Sequence, residues 1–124
     1  MIDYSGPERR RFVRVPFIFP VKYVLADDKD KKEYHSLSDN LSEGGIKIIC
    51  MQKIDEGTDI RLDFSLPTSD GIIEIKCLGR IAWYREKDNK IYCGVQFVDL
   101  DSDKHKVLQN FIFKILEFRG VETG

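Results

Sequence analysis

The stretch from Asp59 to Leu66 restricts the fold more than any other part of the chain. Ile60, Leu62, Phe64 and Leu66 alternate with Asp59, Arg61, Asp63 and Ser65. Only a β-strand, whose side chains point to opposite faces with a period of two, sorts these residues into one apolar and one polar side. Such a strand needs neighbours to hydrogen-bond with and an apolar layer to bury its inner face.

The neighbours can be read along the chain. Phe17, Phe19, Val21, Tyr23 and Leu25 alternate with Ile18, Pro20, Lys22 and Val24, which predicts a first strand. Pro20 lacks a donor, so it belongs at an edge or a bulge. A charged loop follows at 27–32, then a modest strand at 34–39, a polar turn from Asn40 to Gly45, and a β-branched strand from Gly45 to Met51. Beyond the alternating segment, Pro67 to Gly71 is a turn into a long strand from Ile72 to Tyr84. Lys87-Asp88-Asn89-Lys90 is a hairpin loop into Ile91 to Val98. Strands about a dozen residues apart, joined by tight turns, predict a closed or nearly closed antiparallel barrel.

One helix is expected at the end. Asp101 or Ser102 can cap it and Gly120 can terminate it. Val107, Leu108, Phe111, Ile112, Ile115 and Leu116 form one stripe that packs on the barrel, and Phe113 falls off it. An exposed Phe113 offers a homodimer contact, or is one ordinary surface apolar residue.

Composition narrows the function. At 124 residues and 42% hydrophobic content the chain is sized for one domain with one core. Twenty Lys+Arg against 21 Asp+Glu leave a net charge of -1, which disfavours general attraction to DNA, RNA or anionic membranes. A single-strand-binding barrel would need interleaved basic and aromatic positions, and these are missing. The three cysteines (Cys50, Cys77, Cys93) are odd in number and widely spaced, without zinc spacing or a disulfide framework, and a reducing cytoplasm suits them. Arg9-Arg10-Arg11-Phe12-Val13-Arg14 superficially resembles a twin-arginine signal. The region after it is broken by Pro16, Pro20 and Lys22, so neither export nor membrane insertion is expected. His35 and His105 lie near no Cys, Ser or acid at a triad or metal spacing. No G-x-x-x-x-G-K loop occurs. The expectation is a protein without catalytic activity, metal or cofactor.

Two features then stand out. Arg9, Arg10, Arg11 and Arg14 place four arginines within six residues of a nearly neutral chain. Asn40-Leu41-Ser42-Glu43-Gly44-Gly45 is rich in turn formers. Singly, the first suits a solubilising charged segment and the second an ordinary turn. Together, Arg10-x-x-x-Arg14 followed by Asn40-x-Ser42-x-x-Gly45 resembles the signature of the PilZ domain family, bacterial receptors for the second messenger cyclic di-GMP. Arg80-Ile81-Ala82-Trp83, then Gly94 to Leu100, then an amphipathic helix continue the resemblance from about Glu8 to Arg119.

The resemblance implies a mainly β fold, a six-stranded antiparallel barrel with a C-terminal amphipathic helix. It divides the chain into a flexible arm (1–7), the domain (8–119) and a short tail (120–124). Arg10 and Arg14 match the family's arginine pair, and Asn40, Ser42 and Gly45 match its second motif, with Asn40 in place of the commoner Asp. Arg9 and Arg11 add cations that in relatives help bind a stacked dimer of the ligand. Trp83 matches a position where some relatives place an aromatic beside guanine, although its parity with Ile73, Ile75 and Ile81 favours a core role. The chemistry agrees with the match. Arginine takes phosphate oxygens or the guanine O6/N7 pair in bidentate fashion and stacks on purines. The Asn carbonyl can face guanine N1–H and N2–H2, Ser42 offers a hydroxyl, and Gly45 permits close backbone approach. The implied function is a receptor whose arm orders on ligand and signals to a downstream protein in trans. The alternative is an interaction module of the same fold that has lost the ligand.

Overall fold

Phe19, Val21 and Tyr23 are almost completely buried, whereas the neighbouring Ile18 and Pro20 face solvent. The alternation read from sequence therefore sets the inner and outer faces of the first strand, β1 (Val15–Leu25). The computed structural model describes residues 14–118. Five more strands follow: β2 (Tyr34–Leu41), β3 (Gly45–Cys50), β4 (Asp59–Thr68), β5 (Gly71–Lys87) and β6 (Lys90–Phe97). One helix, α1 (Ser102–Phe118), ends the described chain. The strands close into an antiparallel barrel in the order β1-β2-β3-β6-β5-β4. This is the expected architecture. Residues 1–13 and 119–124, with the arm, the tail and Gly120, lie outside the described residues.

β1 closes the barrel. Its second half, Val21 to Leu25, pairs with β4, and Val15 to Tyr23 pairs with β2 across a bulge between Pro16 and Phe19. Pro16 and Pro20 thus occupy the half with strand pairing on one side, where a missing donor breaks no second ladder. The 17-residue β5 serves two neighbours, pairing with β4 as far as Arg80 and with β6 from Gly79 onward. At this hand-over a Cβ on Gly79 would stand 2.6 Å from Val95 Cγ1, so any larger residue would have to push the Val95 side chain aside. Asp88 and Asn89, with φ of 53° and 65°, make the two-residue turn from β5 to β6.

The barrel interior is filled by aliphatic and aromatic side chains from every strand, among them Leu41, Ile48, Ile60, Leu62, Leu66 and Ile75. Tyr23 is buried with them, and its hydroxyl accepts the Met51 N–H at 3.3 Å. Burial pushes the Tyr23 phenol well above its usual range, so it stays neutral. Asp101 caps α1: its carboxylate accepts the Lys104 N–H at 2.8 Å, and its carbonyl accepts the His105 N–H at 2.9 Å. Leu108, Phe111 and Ile112 are buried, and Phe111 meets Phe17 edge-on at 5.0 Å. Phe113 is 62% exposed, as its place off the stripe predicts.

These positions give opposite expectations on one helix. Leu108→Ala should lower unfolding free energy by about 2–5 kcal/mol through lost burial and a residual cavity. Phe113→Ala should change it by no more than about 0.5 kcal/mol. Urea denaturation of both variants checks the orientation of α1, and equal losses would contradict it.

Candidate functional site

The turn between β2 and β3 is held by one side chain. Ser42 is buried, and its hydroxyl oxygen accepts the N–H groups of Gly44 and Gly45, each at 3.2 Å. The same hydroxyl lies 3.3 Å from the Gly45 carbonyl, which also accepts the Ser42 N–H at 2.9 Å. This is the local hydrogen bonding that makes serine a turn residue. In this structure Ser42 shapes the turn from within. Gly45 follows from a close backbone approach, since a Cβ there would collide with the Val95 carbonyl oxygen of β6. Phe97 N–H donates to the Gly44 carbonyl at 2.9 Å and ties the turn to the end of β6.

The turn is anchored on its other side by the helix. Glu43 Oε1 accepts Gln109 Nε2 at 3.0 Å and lies 3.2 Å from His105 Nε2. Sequence reading passed over Glu43, because a partner 66 residues away leaves no local signal.

The first motif reaches this turn through Arg14. Its Nη1 donates to Asn40 Oδ1 at 3.1 Å, and the pairing of Pro16 with Asn40 sets that approach. Residues 26 positions apart in sequence are thus brought together by the β1–β2 ladder. Arg9, Arg10 and Arg11 lie outside the described residues.

From Asn40 an outward strip crosses the barrel wall. Asn40 pairs with Lys47 on β3, Lys47 with Gly94 on β6, and Gly94 with Trp83 on β5. Three inter-strand steps of ~4.8 Å make the strip about 14 Å wide. Trp83 departs from the core role its parity suggested. The ladder shifts between Ile81 and Trp83, and beyond that bulge Tyr84 pairs with the buried Cys93. The shift turns Trp83 outward, where its half-buried indole covers Gly94. The Arg85 guanidinium lies 5.2 Å from its ring centre. Lys47 Nζ lies 3.4 Å from Asp39 Oδ2 and 5.3 Å from the Tyr92 ring centre. The period-two pattern of β3 marks Lys47 as outward, but its strip partners lie on strands whose order the sequence leaves open.

The arrangement offers cations, an amide and an aromatic face, which together suit a planar, hydrogen-bonding anion. Among the described residues, no group of three His, Cys, Asp or Glu side chains could hold a metal ion. No described helix is long and apolar enough to cross a membrane. A groove on the wall of β1, β4 and β5 is lined by Lys22, Arg61 and Lys76 against Glu33, Asp63 and Asp99, so its charges cancel.

The family model described as the PilZ domain matches residues 8–114. No curated protein matches the sequence. Among solved structures, the inhibitor of motility MotI (DgrA) of Bacillus subtilis is 22% identical with a TM-score of 0.74, covering 88% of this chain and 52% of its own. The PilZ domain of YcgR from Escherichia coli, solved with c-di-GMP, is 16% identical with a TM-score of 0.68, covering 93% and 97%. The MrkH–c-di-GMP complex of K. pneumonia is 13% identical with a TM-score of 0.65, covering 92% and 55%. The chain therefore spans about half the length of MotI and MrkH.

The seat of Trp83 gives a direct optical test. It is the chain's one tryptophan, so its emission reports this site alone. Gly94→Ala should displace the indole into water and shift its emission to the red, whereas Ser65→Ala, at an exposed position on β4, should leave it unchanged. Identical spectra for the wild type and Gly94→Ala would contradict the packing described.

Proposed function

The chain belongs to the PilZ domain family, and from that premise we propose that it is a non-catalytic receptor for cyclic di-GMP. The observation that carries the proposal is the Arg14–Asn40 hydrogen bond, which joins the two motifs into one split site. The solved structures of YcgR and MrkH with c-di-GMP support the choice of ligand.

The chemistry follows from the groups present. The ligand carries two phosphates and two guanines. Arg10 and Arg14 grip phosphate oxygens or guanine O6/N7, each good bidentate contact contributing about 1–3 kcal/mol. Arg9 and Arg11 add charge for a second, stacked ligand molecule. Asn40 Oδ1 has two lone pairs, so it can keep Arg14 and still accept a guanine N–H. The Ser42-held turn fixes the backbone around Gly45 before the ligand arrives, which lowers the ordering cost of binding. Trp83 presents an aromatic face to a base from the far end of the strip. Ordering of the arginine arm then creates a new surface for a downstream protein, and the arm's lost entropy is offset by phosphate and stacking contacts. This reading places the protein in the cytoplasm, where a nucleotide second messenger is made and sensed.

Isothermal titration with cyclic di-GMP tests the reading. The wild type should release heat with a fitted stoichiometry of one or two ligands per chain. Arg10→Ala with Arg14→Ala should abolish it, and Asn40→Ala should weaken affinity roughly tenfold, the equivalent of one hydrogen bond to a charged or strongly polar partner. Wild-type-like heat in the double variant would overturn the site, and no heat in the folded wild type would favour the ligand-free interaction module.

A further inference from the structure

Two of the three cysteines meet inside the barrel. Cys50 closes β3 and Cys93 lies in β6, and their sulfurs stand 2.8 Å apart. Cys50 pairs across the ladder with Ile91, and Cys93 with Ile48, so the two thiols are diagonal neighbours on the inner wall. Both are free thiols in this structure. Their separation exceeds a disulfide bond of ~2.05 Å by less than an ångström.

We propose that Cys50 and Cys93 form a reversible redox site that a small peroxide closes to an intramolecular disulfide. Buried thiols are ordinarily inert. Here two features work against that. Cys50 ends its strand next to the exposed Met51, so the pair sits at the end of β3, although Cys93 itself is fully enclosed. The Cys50 S–H donates to the Cys93 sulfur, so the proton is held on Cys50 and negative charge is favoured on Cys93. The Cys93 thiolate attacks a peroxide oxygen. The O–O bond breaks, one water leaves after protonation, and a sulfenic acid remains. The Cys50 sulfur attacks the Cys93 sulfur, the S–O bond breaks and a second water leaves. Two thiols and one hydrogen peroxide become one disulfide and two waters, with the sulfurs oxidised and the peroxide oxygens reduced. A resolving thiol already in contact traps the sulfenic acid before a second peroxide can reach it.

The third cysteine serves as an internal control. Cys77 lies on β5 opposite Leu62 and is less buried than either of the pair, so oxidation governed by exposure alone would fall on it. The disulfide would staple β3 to β6, the strands that carry Gly45 and Gly94, by a link spanning 43 positions. Constraining the unfolded chain over such a span should also raise the melting temperature.

The three cysteines fall in three different tryptic peptides, so the bond can be assigned directly. The reduced full chain is treated with hydrogen peroxide, blocked with iodoacetamide and digested without reduction. The expected result is a Cys50 peptide joined to a Cys93 peptide, with titratable thiols in denaturant falling from three to one and returning with dithiothreitol. Cys77→Ala should give the same link, and Cys50→Ala should leave Cys93 as an uncrosslinked oxidised acid, both checked as folded by circular dichroism. A link through Cys77, disulfides between chains, sulfinic acids on unlinked Cys50 and Cys93, or three thiols surviving in the folded wild type would each overturn the proposal.

Discussion

The closure of the sheet through β1 is the constraint on which the rest of the structure depends. A six-stranded sheet left open would expose two rows of unpaired backbone groups and one side of its apolar layer. β1 removes both problems by pairing with β2 along most of its length and with β4 from Val21 onward. The asymmetry of that pairing has a second effect. The first half of β1 is joined to β2 alone among the strands, which accommodates Pro16 and Pro20 and brings Arg14 out beside Asn40. The ladder that closes the barrel is thus also the one that assembles the site.

Glycine and serine do the close work around it. Gly45 and Gly94 permit approaches that a methyl group would block, the first of β3 to the Val95 carbonyl and the second of the Trp83 indole to β6. Ser42 ties the turn from inside, and Glu43 fastens it to Gln109 on α1. Each contact is ordinary by itself. Their concentration within one turn and one neighbouring strand ties this half of the candidate site to the barrel and to α1.

Much of this was legible in the sequence, for reasons that differ by residue. The strict alternation of β1 and β4 gave each strand its inner face, because a half-buried strand has only one register that hides its apolar set. The helix stripe and the exposed Phe113 were readable from the same logic at a period of 3.6. The pairing of the two motifs was legible through family resemblance, and the Arg14–Asn40 contact agrees with it. Trp83 was misplaced because period-two counting assumes an unbroken ladder, and the bulge after Ile81 carries no Gly or Pro to announce it. The roles of Gly45 and Glu43 depend on Val95 and Gln109, residues far along the chain, and such contacts exist only once the topology is known. The Cys50–Cys93 approach belongs to the same class, since wide spacing in sequence conceals diagonal neighbours in a ladder.

The central claim is that Arg14, Asn40, the turn that follows it to Gly45, and Trp83 form one surface for cyclic di-GMP. A two-dimensional nitrogen–proton NMR titration with cyclic di-GMP tests it residue by residue. The account predicts that the largest shifts fall on Arg14, on the amides from Asn40 to Gly45 and on the Trp83 indole N–H, along a single binding isotherm. Shifts confined to another wall, such as the groove of Lys22, Arg61 and Lys76, or a spectrum unchanged by saturating ligand, would contradict it.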